Sequence, residues 1–427
     1  MFSIRFTSRT LAAAMVAATV ACADSSSPTS PNVAVAREDP LASLSEGRGA
    51  FQRYVAIGTS LSMGVASDGT IEASQEQSWP AQLARMADRE ITQPIIGGTG
   101  CRSPLLAPLT SGVRLSGEAA GANPATLSCA ELKSGEVSLV QNVAINGATT
   151  FNALNTTPEN VTDAGNRQIT QRVLLPGHTQ ISSLEEQNPK FVSVEFGANE
   201  LLQVRSGIAI EGVTMYPYSA WAPLYTQLVD RAAAATKYGL IVGLIHDVAT
   251  IPGFRRGSEL YADRNTFAAA FNVTIAGDCD GSNNLIFTPV VVPTAVARGA
   301  AMKRNDTGPY VLSCAGGAAT AQDFILTPEE VASVNTLASR MAAHMRAEAE
   351  RVGFAYFELD ELFRSDFKPP FSVVQQMTST TQPYGAYSSF DGVHPSALGQ
   401  RVVAEAAARA IDARYNFGLS AQLIASR

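Results

Sequence analysis

Short, uninterrupted apolar runs separated by segments of helical periodicity restrict the fold of this chain more than any other feature. They are Tyr54-Val55-Ala56-Ile57, Pro94-Ile95-Ile96, Val140 to Ile145, Phe191 to Phe196, Leu240 to Ile245 and Phe354 to Leu359. Continuous β-branched runs of this length belong to parallel strands buried on both faces, because crossover helices cover both sides of such a sheet. The best helical signal between them begins at Thr327-Pro328-Glu329-Glu330. Thr327 suits the cap, Pro328 the first helical position and Glu330 the capping box. Behind it Val331, Val334, Leu337, Met341, Met345 and Val352 form one apolar stripe. A last helix is predicted after Ser396, with Leu398, Val402, Ala406 and Ala410 facing inward. The alternation predicts an α/β protein: a three-layer α/β/α sandwich on a mainly parallel, roughly five-stranded sheet.

Two stretches, about 98–138 and 252–326, break the alternation and read as long loop insertions in a domain spanning 51–415. Loops of such length are usually functional or covering segments. They are expected either to rim a site or, as an equal alternative, to be surface decoration held down by a disulfide. Residues 416–427 read as a C-terminal tail.

Residues 1–23 read as an export signal, with Arg5 and Arg9 before the apolar Leu11 to Ala21. Thr19-Val20-Ala21-Cys22 looks like a bacterial lipoprotein signal that would make Cys22 the lipidated N-terminus, although Thr19 stands where Leu is usual. Ordinary cleavage after Ala21-Cys22-Ala23, a small-x-small site, is the alternative and would release a secreted protein. Residues 24–50, rich in Ser and Pro at their start, read as a disordered linker. The remaining cysteines, Cys101, Cys129, Cys279 and Cys314, form an even set with three possible pairings. Sequence neighbours are the economical choice, so Cys101–Cys129 and Cys279–Cys314 are expected, in an oxidising compartment. With 38 acidic against 31 basic residues, a net charge of −7 and no Lys/Arg cluster, a nucleic-acid partner is a poor fit. Beyond residue 22 no run reaches the roughly 18 apolar residues of a membrane span. No zinc-type Cys/His cluster is present, and no metal or cofactor is expected.

In open α/β sheets ligands bind beyond the carboxyl ends of the strands. Four segments lie there or beside the last helix: Gly58-Thr59-Ser60-Leu61, Asn146-Gly147-Ala148, Gly197-Ala198-Asn199-Glu200 and Asp391-Gly392-Val393-His394-Pro395. Each alone is weak. Their order and context together resemble the four blocks of the SGNH, or GDSL-type, hydrolases over about residues 51–412. Ser78-Trp79-Pro80-Ala81-Gln82-Leu83-Ala84 is similar to the segment that often follows the first block. Two positions depart from the pattern: Thr59 stands for the usual Asp of Gly-Asp-Ser-Leu, and Glu200 for the Asp of Gly-x-Asn-Asp. The loss of a carboxylate at 59 implies that the turn around Ser60 is held differently.

The resemblance implies a flavodoxin-like fold, a Ser60 nucleophile, His394 as base and then acid, and Asp391 as orienting carboxylate. It implies an oxyanion hole from the Ser60 and Gly147 main-chain N–H groups and the Asn199 amide. That set is what ester hydrolysis requires, since a hydroxyl attacks only when a fixed base takes its proton and donors await the oxyanion. Each residue also has a plainer reading: Ser60 in a turn with Ser62 as rival, Asn199 as a helix cap, Gly147 as turn geometry, Asp391 as a turn cap before Pro395. His344 reads as structural, His246-Asp247 as a loop stabiliser, and Trp79, Trp221 and Phe196 as packing. The expected activity is carboxylic ester hydrolysis, esterase or lipase, with aliphatic acyl esters favoured by runs such as Leu105-Leu106 and Val290-Val291-Val292. A glycan O-acetylesterase shares all four blocks and is the first alternative. A non-catalytic surface binding protein is the second, although it has no need of Ser60 and His394 together.

Overall fold

The computed structural model describes residues 40–317, 321–361, 363 and 368–420. In chain order the strands are β1 (Tyr54–Ile57), β2 (Phe191–Glu195), β3 (Tyr238–Gly243), β4 (Phe254–Arg256), β5 (Val273–Ile275), β6 (Leu285–Phe287), β7 (Tyr310–Leu312), β8 (Ile325–Leu326) and β9 (Ala355–Glu358). The main sheet has the order β1-β2-β3-β9, all parallel. Residues 141–145 run along the free edge of β1, with Ala56 N–H donating to Gln141 O and Val143 N–H to Ala56 O, both at 2.8 Å. They supply the fifth segment as a single bridge rather than a full strand. The chain therefore runs from β1 outward to that edge and back to β2 on the other side. Ligand crevices in open sheets form at such a reversal, beyond the ends of the two strands.

Successive side chains of the strands feed two cores. Val55, Ile57, Val192, Val194 and Ile241 pack under helices Gln180–Glu186, Tyr218–Ala235 and Pro328–Val352. Tyr54, Ala56, Phe191, Leu240 and Val242 pack under helices Trp79–Met86 and Ala397–Tyr415. This is the expected three-layer α/β/α arrangement. The capping box forms as read, with Thr327 N–H donating to Glu330 Oε2 at 2.8 Å and Glu330 N–H to Thr327 Oγ1 at 3.3 Å. The last helix starts on its Ser396 cap but is turned slightly from the expected face. Leu398 is 46% exposed, while Gly399, Val403, Ala404, Ala407 and Ile411 are buried. Of the expected residues Ala406 is buried and Val402 and Ala410 pack against the core, and the many alanines make neighbouring faces nearly equal in apolarity.

Four expectations need correction. Pro94-Ile95-Ile96 is no sheet strand; Ile96 bridges Leu132 of the first insertion. The expected linker ends early, because Pro40–Ala50 is a helix that buries Ala50 in the Trp79 core, with Phe417 against Gly47. Phe417 and Leu419 are likewise buried rather than part of a free tail. The 252–326 stretch is not loop: it folds as the antiparallel β4-β6-β8 sheet, the β5-β7 pair and helices including Thr288–Arg304, around Leu260, Phe267, Ile286 and Val292. Pro289 sits in that helix's first turn, where a missing N–H costs nothing.

Both expected disulfides, Cys101–Cys129 and Cys279–Cys314, are present. Among the described residues no helix is long and apolar enough to cross a membrane. The expected signal, Cys22 and residues 24–39 lie outside the described residues.

Candidate active site

Strand β1 ends at Gly58, and the chain turns into the short helix Ser60–Met63. A Cβ on Gly58 would lie 2.5 Å from Ser62 Oγ and 3.0 Å from Glu195 Oε2, so only glycine fits this approach. Glu195, the last residue of β2, is buried beneath the turn. Its carboxylate accepts Thr59 N–H and Thr59 Oγ1–H at 2.9 Å, and Ser62 Oγ–H at 2.9 Å. Ser62 Oγ in turn accepts Trp79 Nε1–H at 3.1 Å. Ser62 is thus committed to the scaffold. The Ser60 hydroxyl, in contrast, has no hydrogen-bond partner among the described residues and borders a cavity. Burial pushes the Glu195 carboxyl above its ordinary value, although four hydrogen bonds from Thr59 and Ser62 pull the other way.

Asp391 and His394 share one loop before the last helix. Asp391 Oδ2 accepts His394 Nδ1–H at 2.8 Å, while Asp391 Oδ1 accepts the Val393 and His394 main-chain N–H groups at 2.8 Å each. Burial by itself raises the Asp391 carboxyl, but the His394 charge and these bonds outweigh it and hold the group down at about 2. Burial lowers His394, yet the Asp391 charge and hydrogen bond carry it above the ordinary imidazole value. With Nδ1 committed to Asp391, Nε2 is the nitrogen left for proton transfer.

Ser60, Asn199 and His394 line one cavity of about 140 Å³. The rest of its wall is mostly hydrocarbon, Leu201, Leu202 and Val204 after β2, Leu244 and Val248 after β3, Phe254, and Val334 and Ala338 of helix Pro328–Val352, with Thr59, Glu195, His246 and Asn335 as its other polar members. The insertions were expected to rim the site. Of the two, only 252–326 reaches the cavity, through Phe254.

Asn199 Nδ2 donates to Ala148 O at 2.8 Å, so the second and third sequence blocks meet directly. Gly147, at φ +76°, precedes that carbonyl, with Asn166 Nδ2 2.5 Å from where a Cβ would stand. It does not itself line the cavity. Glu200 is buried and accepts Thr150 N–H and Oγ1–H at 2.7 Å, fixing the start of helix Thr150–Asn155.

Residues 286–407 match the family model GDSL-like Lipase/Acylhydrolase. The GDSL-like match takes in Asp391 and His394 and stops short of Ser60, Gly147 and Asn199, which lie upstream. Among solved structures, an extracellular lipase from Streptomyces rimosus aligns at 13% identity over 83% of this chain and 98% of its own, with a TM-score of 0.33. No curated protein matches the chain.

The other expectations resolve simply. His344 Nε2 lies 3.1 Å from Thr226 Oγ1 against the rings of Trp221 and Tyr225, and Trp79, Trp221 and Phe196 are buried packing. Asp247 caps its own turn by accepting Ala249 N–H at 3.0 Å, whereas His246 borders the cavity. Glu195 was missed by the sequence reading. Its signal was a lone acid at the end of an apolar strand, Phe191-Val192-Ser193-Val194-Glu195.

Proposed function

We propose that the protein is a serine hydrolase of carboxylic esters with aliphatic acyl groups, of the GDSL-like type. One observation carries this reading: Ser60 and His394 line the same hydrocarbon cavity, and Asp391 holds the far nitrogen of the imidazole. In the proposed reaction His394 Nε2 takes the Ser60 proton as Oγ attacks the ester carbonyl. The oxyanion is received by the Ser60 and Gly147 main-chain N–H groups and the second N–H of the Asn199 amide. His394 then protonates the leaving alkoxide, and a water activated by the same imidazole releases the acid. Hydrogen bonds of this kind are often open without substrate and close in the complex. The acyl chain occupies the space between Leu201, Leu244, Phe254 and Val334, where it gains burial of apolar surface and meets few polar groups.

The two disulfides support an exported protein, since such bonds persist in oxidising compartments. Lipidation at Cys22 belongs to the proposal, and Cys22→Ser should then release the protein from membranes. The deciding assay is p-nitrophenyl ester hydrolysis from acetate to palmitate with Ser60→Ala as control. Turnover by the wild type but not the variant, with an optimum beyond acetate, is expected. Turnover of acetate alone would favour the O-acetylesterase, and none in a folded protein would favour the binding scaffold.

A further inference from the structure

Two consecutive non-glycine residues, Ser67 and Asp68, adopt the left-handed conformation at φ 56° and 58°. They are the centre of a tight turn closed by Ala66 N–H to Gly69 O at 2.9 Å and Gly69 N–H to Ala66 O at 3.1 Å. Such backbone is uncommon outside glycine and persists where its surroundings fix it. Here the turn is fixed on both sides. Towards the site, Ser67 N–H donates to Ser389 Oγ at 2.8 Å, Phe390 N–H to Ser67 Oγ at 3.2 Å, and Asp68 N–H to Asp391 Oδ2 at 2.5 Å. Away from it, the Asp68 carboxylate meets Arg114 Nη2 at 2.6 Å and Arg102 Nη1 at 3.6 Å.

Arg114 is only 3% exposed, and it also donates to Ser103 O at 2.8 Å and Ala120 O at 3.1 Å. Both arginines belong to the 98–138 segment, and Arg102 follows Cys101 of its disulfide. The segment meets the turn again where Leu105 N–H donates to Ser67 O at 2.8 Å. None of Ser67, Asp68, Arg102 and Arg114 lines the cavity.

We propose that the Ser67–Asp68 turn, with Arg114 behind it, is a positioning clamp for the Asp391–His394 pair, supplied by the disulfide-closed segment 98–138. This rests on the reading of Ser60 and His394 as the catalytic pair. Asp391 Oδ2 accepts from both His394 Nδ1 and Asp68 N–H. A carboxylate oxygen held by two donors cannot swing without losing one, so the turn fixes the direction in which the imidazole is held. The clamp also sets a charge balance at His394. Asp391 and Asp68 favour its protonation, Arg205 opposes it, and Arg114 and Arg102 offset Asp68.

The test is ester kinetics across pH for Arg114→Gln, Arg114→Lys, Asp68→Asn and the double variant Asp68→Asn/Arg114→Gln. Arg114→Gln is expected to lower kcat by roughly 10- to 100-fold, the scale of a small misplacement of catalytic groups. KM should hold, because Arg114 does not touch the cavity. The acid limb of kcat/KM should move to higher pH, since Asp68 keeps its charge and loses its partner. Arg114→Lys should recover most of the turnover. Adding Asp68→Asn should bring the limb back down, because the anion goes while the main-chain N–H stays. Wild-type kcat and pH profile in Arg114→Gln would overturn the proposal, as would a loss of kcat with the limb unmoved in every variant. If Arg114→Gln does not fold, Asp68→Asn alone must still lower the limb. Ser60→Ala separates the two readings: an active Ser60→Ala sinks the catalytic assignment, whereas an inactive one beside a normal Arg114→Gln sinks only the clamp.

Discussion

Glu195 Oε2 accepts the Thr59 main-chain N–H at 2.9 Å, so the carboxylate that holds the nucleophile turn comes from the end of β2 and not from the residue before Ser60. The departure of Thr59 from the GDSL pattern is thereby accounted for. Thr59 contributes a hydroxyl donor to an acid already in place, and Ser62 contributes another.

Placing the Asp of the Gly-Asp-Ser-Leu pattern at position 59 should therefore harm this protein. Thr59→Asp sets a second carboxylate against Glu195 in a buried site, where two such groups cannot both ionise. Denaturant melts are expected to show a loss of roughly 1–3 kcal/mol, the cost of burying polar groups without partners. Glu195→Gln in the same background should return part of it. A Thr59→Asp protein as stable as wild type would count against Glu195 as the turn's anchor.

Asn199→Ala tests the oxyanion hole. Loss of one such donor costs roughly 10²–10³ in kcat, with KM little changed. Equal turnover would remove Asn199 from the reaction and leave it bonding Ala148 alone.

The pH profile follows from the shifts in the Asp391–His394 pair. With neutral His394 as the proposed base and its pKa raised, kcat/KM should fall as pH drops through a value above the ordinary imidazole range of about 6.5. Asp391→Asn removes the charge that raises it, so the limb should move down while kcat drops by roughly 10⁴. Stability has its own sign. Asp391 is held at about 2 against an ordinary 3.8, so its contribution is present above 3.8 and is lost as pH falls towards 2. That contribution is about 2 kcal/mol. Acid titrations of wild type and Asp391→Asn should converge over that window.

Val334→Phe tests the cavity as the acyl site. The larger ring fills space beside Leu244 and Phe254. Each methylene excluded is worth about 1–3 kcal/mol of discrimination, so kcat/KM for long-chain esters should fall tenfold or more. Acetate hydrolysis should stay near wild type. A uniform loss across chain lengths would place the acyl group elsewhere.

The sequence made the sheet legible because buried parallel strands must be continuous apolar runs, and β1, β2, β3 and β9 are such runs. The Asp391–His394 contact was legible through the resemblance, since the two residues stand three apart in one of its blocks. The place of Ser60 at the cavity, just after β1, was legible only with the other three blocks beside it. The cavity wall was not. Val334 and Ala338 look like any residues of an apolar helical stripe, and only the packing of Pro328–Val352 on the sheet leaves part of that stripe beside Leu244 and Val248. The clamp was equally hidden, since Arg114 and Asp68 carry no local pattern that links them to Asp391. The 252–326 subdomain was misread because its strands have two or three residues each, too short for periodicity to register.

The contact between Asp68 and Asp391 joins positions 323 apart. Chemical competence is thus a property of the finished chain. During synthesis the proposed nucleophile, Ser60, emerges long before the proposed base and its carboxylate, and no shorter product holds both. On the proposed reading, an esterase arranged in this way would stay silent along its export route and become reactive only after its last helix had arrived.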